Sequence, residues 1–136
     1  MNKVKDKIKE VEKYIQELSK IAPPNFKEYK TNFKTKAACE RYFERIIESL
    51  IDLAFLIIKE NKFQTPEEDK QAFDILKDED IISEILATRL RDAKGMRNII
   101  AHEYGKIDDE LVFESITEEL MKDANEFINL IKKLKF

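Results

Sequence analysis

The chain has 136 residues, of which 25 are basic and 28 acidic, giving a formal net charge of -3. This length suits one domain, and with two glycines and three prolines the chain lacks the turn residues that a many-stranded fold needs. The mixed charges argue against a broad nucleic-acid-binding surface, and no apolar run reaches the ~20 residues that span a bilayer. Cys39 is the single cysteine, so an intrachain disulfide or cysteine-based metal site is excluded and a cytoplasmic location is the default.

The first predicted helix runs from Asn2 to about Ile21. Its apolar residues alternate in steps of four and three and form one stripe: Val4, Ile8, Val11, Ile15 and Leu18. Two prolines, at positions 23 and 24, end it because proline has no amide hydrogen. The aromatic residues that follow, Phe26, Tyr29 and Phe33, fit either a short helical turn or a packed loop.

The second long helix is predicted from about Thr35 to Glu60. It is apolar nearly all round, which is typical of a central helix or an interface. Against this background Glu48, Ser49 and Asp52 form a narrow polar stripe, which continues through Arg45 and Arg41. A carboxylate among so many aliphatic residues needs a partner, and for Asp52 the best candidates are Arg97 and His102.

Three further helices complete the prediction. Thr65 as N-cap and Pro66 as first helical residue open one that contains Phe73, Ile75 and Leu76. The next runs from about Ile81 to Glu103 and stops at Gly105. The last has one apolar face, formed by Leu120, Ala124, Phe127, Ile131 and Leu134. We therefore expect residues 1–136 to form one all-α domain, an up-and-down bundle of four to five helices.

The segment RNIIAHEYG holds the only histidine of the chain, His102, five residues after Arg97. Histidine transfers protons near neutral pH, and the arginine fork matches phosphate oxygens, so the pair suits phosphoryl chemistry. One histidine, no cysteine pair and no recognised carboxylate spacing indicate a site that is independent of metal, and no cofactor is expected.

Helical geometry restricts how these residues meet. Residues five apart differ by roughly 140° around a helix, so Arg97 and His102 meet only if the helix loosens or a second chain supplies one of them. Asn98, four residues before His102, shares its side and can orient the imidazole. RNA cleavage by transesterification needs two proton-transfer groups, and a two-fold dimer supplies two copies of His102.

Each of these candidate site residues also has a purely structural explanation. A histidine in a last helical turn can interact with the final carbonyls, and Arg97 can be a solvated charge or a structural ion pair. Glu48 and Asp52 can be partners for arginines alone. Tyr104 fits a half-buried core tyrosine as well as an exposed nucleophilic or modifiable hydroxyl. Cys39 is interpreted as packing rather than as a nucleophile.

The segment MRNIIAHEYG, with a hydrophobic helix before it and an amphipathic helix after it, resembles the HepT-like branch of the HEPN superfamily. The mark of that family is an Arg, four to six residues and a His, with an Asn after the Arg and a Tyr two after the His, and here Arg97, Asn98, His102 and Tyr104 match. The segment RYFERIIESLIDLAF resembles the second helix of the branch, in which the recurring Asp maps onto Asp52 and the Glu onto Glu44 or Glu48.

This resemblance implies a dimeric, metal-independent endoribonuclease that is the toxin of a type VII toxin-antitoxin pair. It assigns His102 as general base or acid and Arg97 as the group that stabilises the transition state, with a 2',3'-cyclic phosphate product. The expected antitoxin is an MntA-like minimal nucleotidyltransferase that transfers AMP to Tyr104. The alternative is a non-catalytic helical module that binds nucleotide in the same cleft or docks on a nucleotidyltransferase.

Overall fold

The computed structural model describes residues 2–102 and 108–134, with the side chains of residues 2 and 102 left out. Its helices are α1 (Asn2–Ile21), α2 (Phe26–Thr31), α3 (Phe33–Glu60), α4 (Asp69–Asp78), α5 (Glu84–His102), α6 (Asp109–Glu114) and α7 (Met121–Lys132). A π-helical segment, Ser115–Leu120, joins α6 to α7 without a break, so these three stretches make one continuous helical rod. The described ranges contain no strand, and the prediction of an all-α fold is confirmed.

Four long helices form a ring around the core. α1 packs against α3, α3 against α5, α5 against α7, and α7 against α1. α1 and α3 are antiparallel: Lys7 near the start of α1 contacts Asp52 in the second half of α3, whereas Tyr14 further along α1 contacts Tyr42 earlier in α3. α4 packs on α3 and α5, and α2 packs on α3 and α6. This is the predicted up-and-down bundle.

α3 is the central helix, as its apolar sequence predicts. Most of its aliphatic residues are fully buried, among them Ile46, Ile47, Leu50, Leu53 and Ile57. Burial of each such side chain contributes about 1.5–3 kcal/mol, which explains why an almost wholly apolar helix lies in the middle of the bundle. No helix in the described part of the chain is long and apolar enough to cross a membrane.

Cys39 lies in this core and is completely buried. Burial raises the pKa of its thiol to about 11, so the thiolate that a nucleophile requires is scarce at neutral pH. The interpretation of Cys39 as a packing residue agrees with this environment.

The short aromatic segment after α1 is helical, which decides between the two alternatives that the sequence left open. Asn25 caps α2 by accepting a hydrogen bond from the Glu28 amide at 2.9 Å. Tyr29 is fully buried, and its ring centroid lies 5.1 Å from that of Phe113 in α6. Phe33, in contrast, is the first residue of α3 and is 82% exposed.

The predicted starts of α4 and α5 are both wrong by three residues. α4 begins at Asp69 instead of Pro66, because the Gln71 side chain accepts hydrogen bonds from the backbone amides of residues 67 and 68 and sets the first turn there. α5 begins at Glu84 instead of Ile81, because Ser83 accepts a hydrogen bond from the Leu86 amide at 3.1 Å. The predicted end at Glu103 and Gly105 lies outside the described residues.

Two helices end in the same left-handed turn without a glycine. After α3, Lys62 has a φ of 57°, and the next amide, that of Phe63, donates to the Ile58 carbonyl at 3.0 Å. After α4, Asp80 has a φ of 59°, and the Ile81 amide donates in the same way. Glycine is the usual residue at this position, since other L-residues are disfavoured there by about 1–2 kcal/mol.

Candidate active site

α5 carries the residues of the RNIIAHEYG segment that the structure describes. Arg97 and Asn98 lie in its last two turns, and His102 is its last residue. The helix is regular up to His102, so Arg97 and His102 differ by roughly 140° around one axis. Loosening of the helix before the histidine, the route that would join these residues within a single chain, is therefore absent from α5.

Arg97 extends across to α3 and is held at both terminal nitrogens. Its Nη2 donates to Oε1 of Glu48 in a short contact, and its Nη1 donates to Oδ1 of Asn98 at 3.0 Å. Its Nε is buried and has no hydrogen-bond partner among the described residues. The Arg97 side chain is 21% exposed and that of Glu48 is 44% exposed, so the guanidinium lies fixed at the edge of the bundle and open to an anion.

Glu48, and not Glu44, is the carboxylate that faces Arg97. Glu44 lies one turn earlier on α3 and instead contacts Arg41 of its own helix at 3.2 Å. The ambiguity between the two glutamates in the sequence is thus resolved by geometry as far as contact with Arg97 is concerned.

Lys94 is a member of the cluster that sequence reasoning missed. Its Nζ donates to Oδ1 of Asn98 at 3.2 Å and lies 3.7 Å from Oδ2 of Asp69 at the start of α4. Its side chain is only 12% exposed. Lys94, Asn98 and His102 are spaced by four, so they share one face of α5, and this spacing was the available signal.

Asn98 receives two donors on one oxygen, from Arg97 and from Lys94. With the carbonyl oxygen occupied in this way, the amide NH2 is the part of the side chain that can donate to an imidazole nitrogen of His102. The orientation of His102 by Asn98 stays a prediction, because the His102 side chain lies outside the described residues.

The expected pairing of Asp52 with Arg97 is corrected by the structure, whereas its pairing with His102 stays a prediction because the His102 side chain lies outside the described residues. Asp52 is 61% exposed at the side chain, and its Oδ2 lies 3.5 Å from Nζ of Lys7 on α1. It follows Glu48 by one turn, but its face of α3 meets α1 at the edge of the bundle, where water and a lysine satisfy the carboxylate. The contacts of Asp52 therefore give it no direct hold on Arg97.

Tyr104, the predicted modification site, lies outside the described residues. In the described side chains, no group of three or more histidine, cysteine or carboxylate residues could hold a metal ion. The described part of the site thus consists of a fixed guanidinium and a nearly buried lysine on the helix that ends at His102.

Comparison with known proteins places this arrangement in a family. The chain is 26% identical over 105 residues to the mRNA nuclease HepT of Shewanella oneidensis, which covers 77% of this chain and 78% of that protein. It is 25% identical over 119 residues to the tRNA nuclease HepT of Aphanizomenon flos-aquae, with 88% and 81% covered. Both are similar along most of their length.

Among solved structures, the fold is similar to that of a tri-AMPylated Shewanella oneidensis HEPN toxin in complex with an MNT antitoxin. The TM-score is 0.90 at 23% sequence identity, and the match covers 96% of this chain and 97% of the toxin. The sequence model of the family described as Ribonuclease HepT-like matches residues 11–134. The resemblance expected from the MRNIIAHEYG segment is thereby confirmed, and the chain belongs to the HepT-like ribonuclease family.

Proposed function

We propose that this protein is a metal-independent endoribonuclease and the toxin of a toxin-antitoxin pair, acting on RNA in the cytoplasm. The observation that carries the proposal is the fixed guanidinium of Arg97, held by Glu48 and Asn98, on the helix that ends at His102. The names of the relatives, an mRNA nuclease and a tRNA nuclease, support RNA as the substrate class.

The reaction needs only groups that the chain carries. One His102 takes the proton of a ribose 2'-hydroxyl, and the 2'-oxygen attacks the adjacent phosphorus. The P–O5' bond breaks as a second His102 donates a proton to the leaving 5'-oxygen, which leaves a 2',3'-cyclic phosphate. Arg97 stabilises the negative charge that develops on the phosphoryl oxygens.

A two-fold dimer supplies the second histidine. Each chain has a single histidine, and on a regular α5 its position lies roughly 140° around the helix axis from that of Arg97 in the same chain. A cleft between two chains brings together two copies of His102 and two of Arg97. The dimer is therefore part of the proposed site.

Regulation by AMP transfer completes the proposal. A nucleotidyltransferase partner would direct the Tyr104 hydroxyl onto the α-phosphorus of ATP, and pyrophosphate would leave. The bulky anionic adenylate, two residues from His102, would block the cleft and repel an RNA phosphate. The structural relative that is AMPylated and bound to an MNT antitoxin supports this partner class.

Substrates with one 2'-deoxynucleotide test the chemistry. We expect cleavage of an all-RNA strand in the presence of a chelator, and we expect that a 2'-deoxy substitution at the cut position blocks that cut alone. Mass analysis of the products should show a cyclic phosphate end. Cleavage that persists at the 2'-deoxy position would contradict the mechanism.

Intact-mass analysis tests the regulation. After coexpression with the nucleotidyltransferase, we expect a mass increase in AMP units that maps to Tyr104 and is accompanied by loss of cleavage. Tyr104→Phe should prevent both changes. An inhibited protein without added mass would contradict regulation by AMP transfer and favour simple docking of the partner.

A further inference from the structure

A second group of basic residues lies on the surface between α1 and α3, one to two turns of α3 from Glu48. It lines a cavity of about 440 Å³ and combines three cations with two aromatic rings. We call it the basic-aromatic cluster and define it as Lys13, Tyr14, Arg41, Tyr42 and Arg45.

The cluster and the candidate active site lie at the same level of the bundle. Arg45 and Arg41 precede Glu48 on the polar stripe of α3 by three and seven residues, which is ~4.5 and ~10.5 Å along the axis. Arg97 of α5 contacts Glu48, whereas Asp109 at the start of α6 contacts Lys36 near the start of α3 at 3.0 Å, so α5 runs against α3 and His102 lies ~7.5 Å beyond Arg97 toward the same end. A strand of RNA with its scissile phosphate near His102 would therefore be level with the cluster.

The side chains of the cluster suit unpaired nucleotides. The rings of Tyr14 and Tyr42 meet edge to face, with centroids 6.2 Å apart and an interplanar angle of 63°, and both are only partly buried. The guanidinium of Arg45 lies 5.9 Å from the centre of the Tyr14 ring. Aromatic rings next to arginines are the usual means of binding single-stranded nucleic acid, because bases stack on rings and phosphates pair with cations.

The charge of the cluster differs from that of the whole chain. Three cations and one carboxylate, Glu17, line its cavity, in a chain of net charge -3. Arg41 also contacts Glu44, but this is an ion pair within one helix turn and Arg41 is 58% exposed, so a phosphate can replace the carboxylate.

A larger groove, which lies between α1, α3 and the segment after α3, is a weaker candidate for RNA. It measures about 970 Å³ and is lined by four lysines and three carboxylates. Lys7, one of the four, is already paired with Glu10 at 2.6 Å and Asp52 at 3.5 Å. The Glu10 carboxylate holds the pKa of Lys7 above its usual value, so this lysine stays charged and paired with carboxylates of its own chain.

We propose that the basic-aromatic cluster binds the single-stranded nucleotides next to the bond that is cut. Arg41 and Arg45 contact phosphates, and Tyr42 stacks on a base. This assignment rests on the proposed ribonuclease function, since it places the substrate of that reaction on the surface beside its site. It also explains how a chain without net positive charge holds RNA.

The test measures RNA binding separately from cleavage. In a His102→Ala background, a fluorescent single-stranded RNA is titrated over a range of salt concentrations. Each phosphate contact on a single strand contributes about 0.7 to the slope of log K against log salt, and so about fourfold in affinity at 0.15 M salt. We expect Arg41→Gln with Arg45→Gln to lower the slope by about 1.4 and the affinity by about tenfold or slightly more.

A matched pair of lysines controls for net charge. Lys59→Gln with Lys62→Gln removes the same charge from the larger groove, where Lys59 lies ~21–27 Å along α3 from the arginines, and is expected to change the slope by less than half as much. For stacking, Tyr42→Leu should weaken binding by about fivefold or more, and Tyr42→Phe should not. Thermal melting of each variant verifies that it is folded.

The outcomes separate the two proposals. Equal losses of RNA affinity in the arginine and lysine double variants would overturn the assignment of the cluster. Undiminished RNA binding by the arginine double variant, in a protein whose wild type cleaves RNA, would also overturn it. A protein that binds RNA through the cluster but never cuts it would keep the cluster and reject the nuclease. If the Arg41→Gln, Arg45→Gln variant bound RNA like the wild type but no longer bound the nucleotidyltransferase partner, the cluster would be rejected as an RNA site.

Discussion

Removal of the Glu48 carboxylate should displace the Arg97 guanidinium while lowering the stability of the fold only slightly. In Glu48→Ala the guanidinium keeps its hydrogen bond to Asn98 but loses the one that fixes it to α3. The pair is partly exposed, with Glu48 at 44%, so its contribution to stability is screened and amounts to about 0.5–1 kcal/mol. For 136 residues this corresponds to a melting temperature about 2–4 °C lower.

The expected effect on catalysis is larger. Displacement of a charge-stabilising group from a reacting phosphate costs about tenfold to a hundredfold in kcat. KM should not rise, because removal of a carboxylate beside Arg97 leaves the guanidinium freer to attract the RNA phosphate. Glu48→Gln, which can still accept a hydrogen bond from Arg97, should recover part of kcat.

Glu44→Ala is the matched control. It removes a glutamate that also contacts an arginine, one turn earlier on the same helix. The assay is steady-state cleavage of a fluorogenic RNA by the three variants, with a thermal melt of each. A kcat for Glu48→Ala within about twofold of wild type, or an equal loss in Glu44→Ala, would refute the positioning role of Glu48.

Three further predictions concern stability, each measured by urea or thermal unfolding. Lys62→Gly and Asp80→Gly should each raise the free energy of unfolding by up to about 1 kcal/mol, since glycine relieves the left-handed turns; destabilised variants would contradict those turns. Burial raises the pKa of Asp123, whose nearest cation is Arg89 at 3.6 Å, so its ionised form destabilises the fold above that pKa, and the penalty disappears as the pH falls. Asp123→Asn should therefore be more stable than wild type at pH 7 and lose that advantage at about pH 4; a constant difference would contradict the prediction. Tyr29→Phe should stabilise by about 1 kcal/mol, because the buried hydroxyl has no partner among the described residues, and a loss of stability would reveal one.

The sequence predicted the fold class and the central helix correctly because hydrophobic burial determines both. A helix as apolar as α3 has no stable position other than the middle of the bundle. The starts of α4 and α5 were predicted wrongly for a local reason. For α4, Thr65 and Pro66 are good start signals, but the Gln71 side chain sets the first turn three residues later. For α5, the Ser83 side chain sets the first turn.

The candidate site was predicted in part. Arg97, Asn98 and Glu48 were named from the sequence, and the structure brings these three together. The expected pairing of Asp52 with Arg97 was wrong, because the periodicity of α3 shows which residues share a face but not which neighbouring helix that face meets; its pairing with His102 stays a prediction. Lys94 was missed because a lysine on an amphipathic helix is usually solvated, and its burial and its contacts with Asn98 and Asp69 are seen only in the structure.

The most direct test of the central claim is RNA cleavage by purified dimer in the presence of a chelator, after intact mass has established that Tyr104 is unmodified. We predict that the wild type cuts RNA and that His102→Ala and Arg97→Ala, folded and dimeric, lose activity by about a hundredfold or more. Intact RNA with the unmodified wild type, or undiminished cleavage by His102→Ala, would contradict the account.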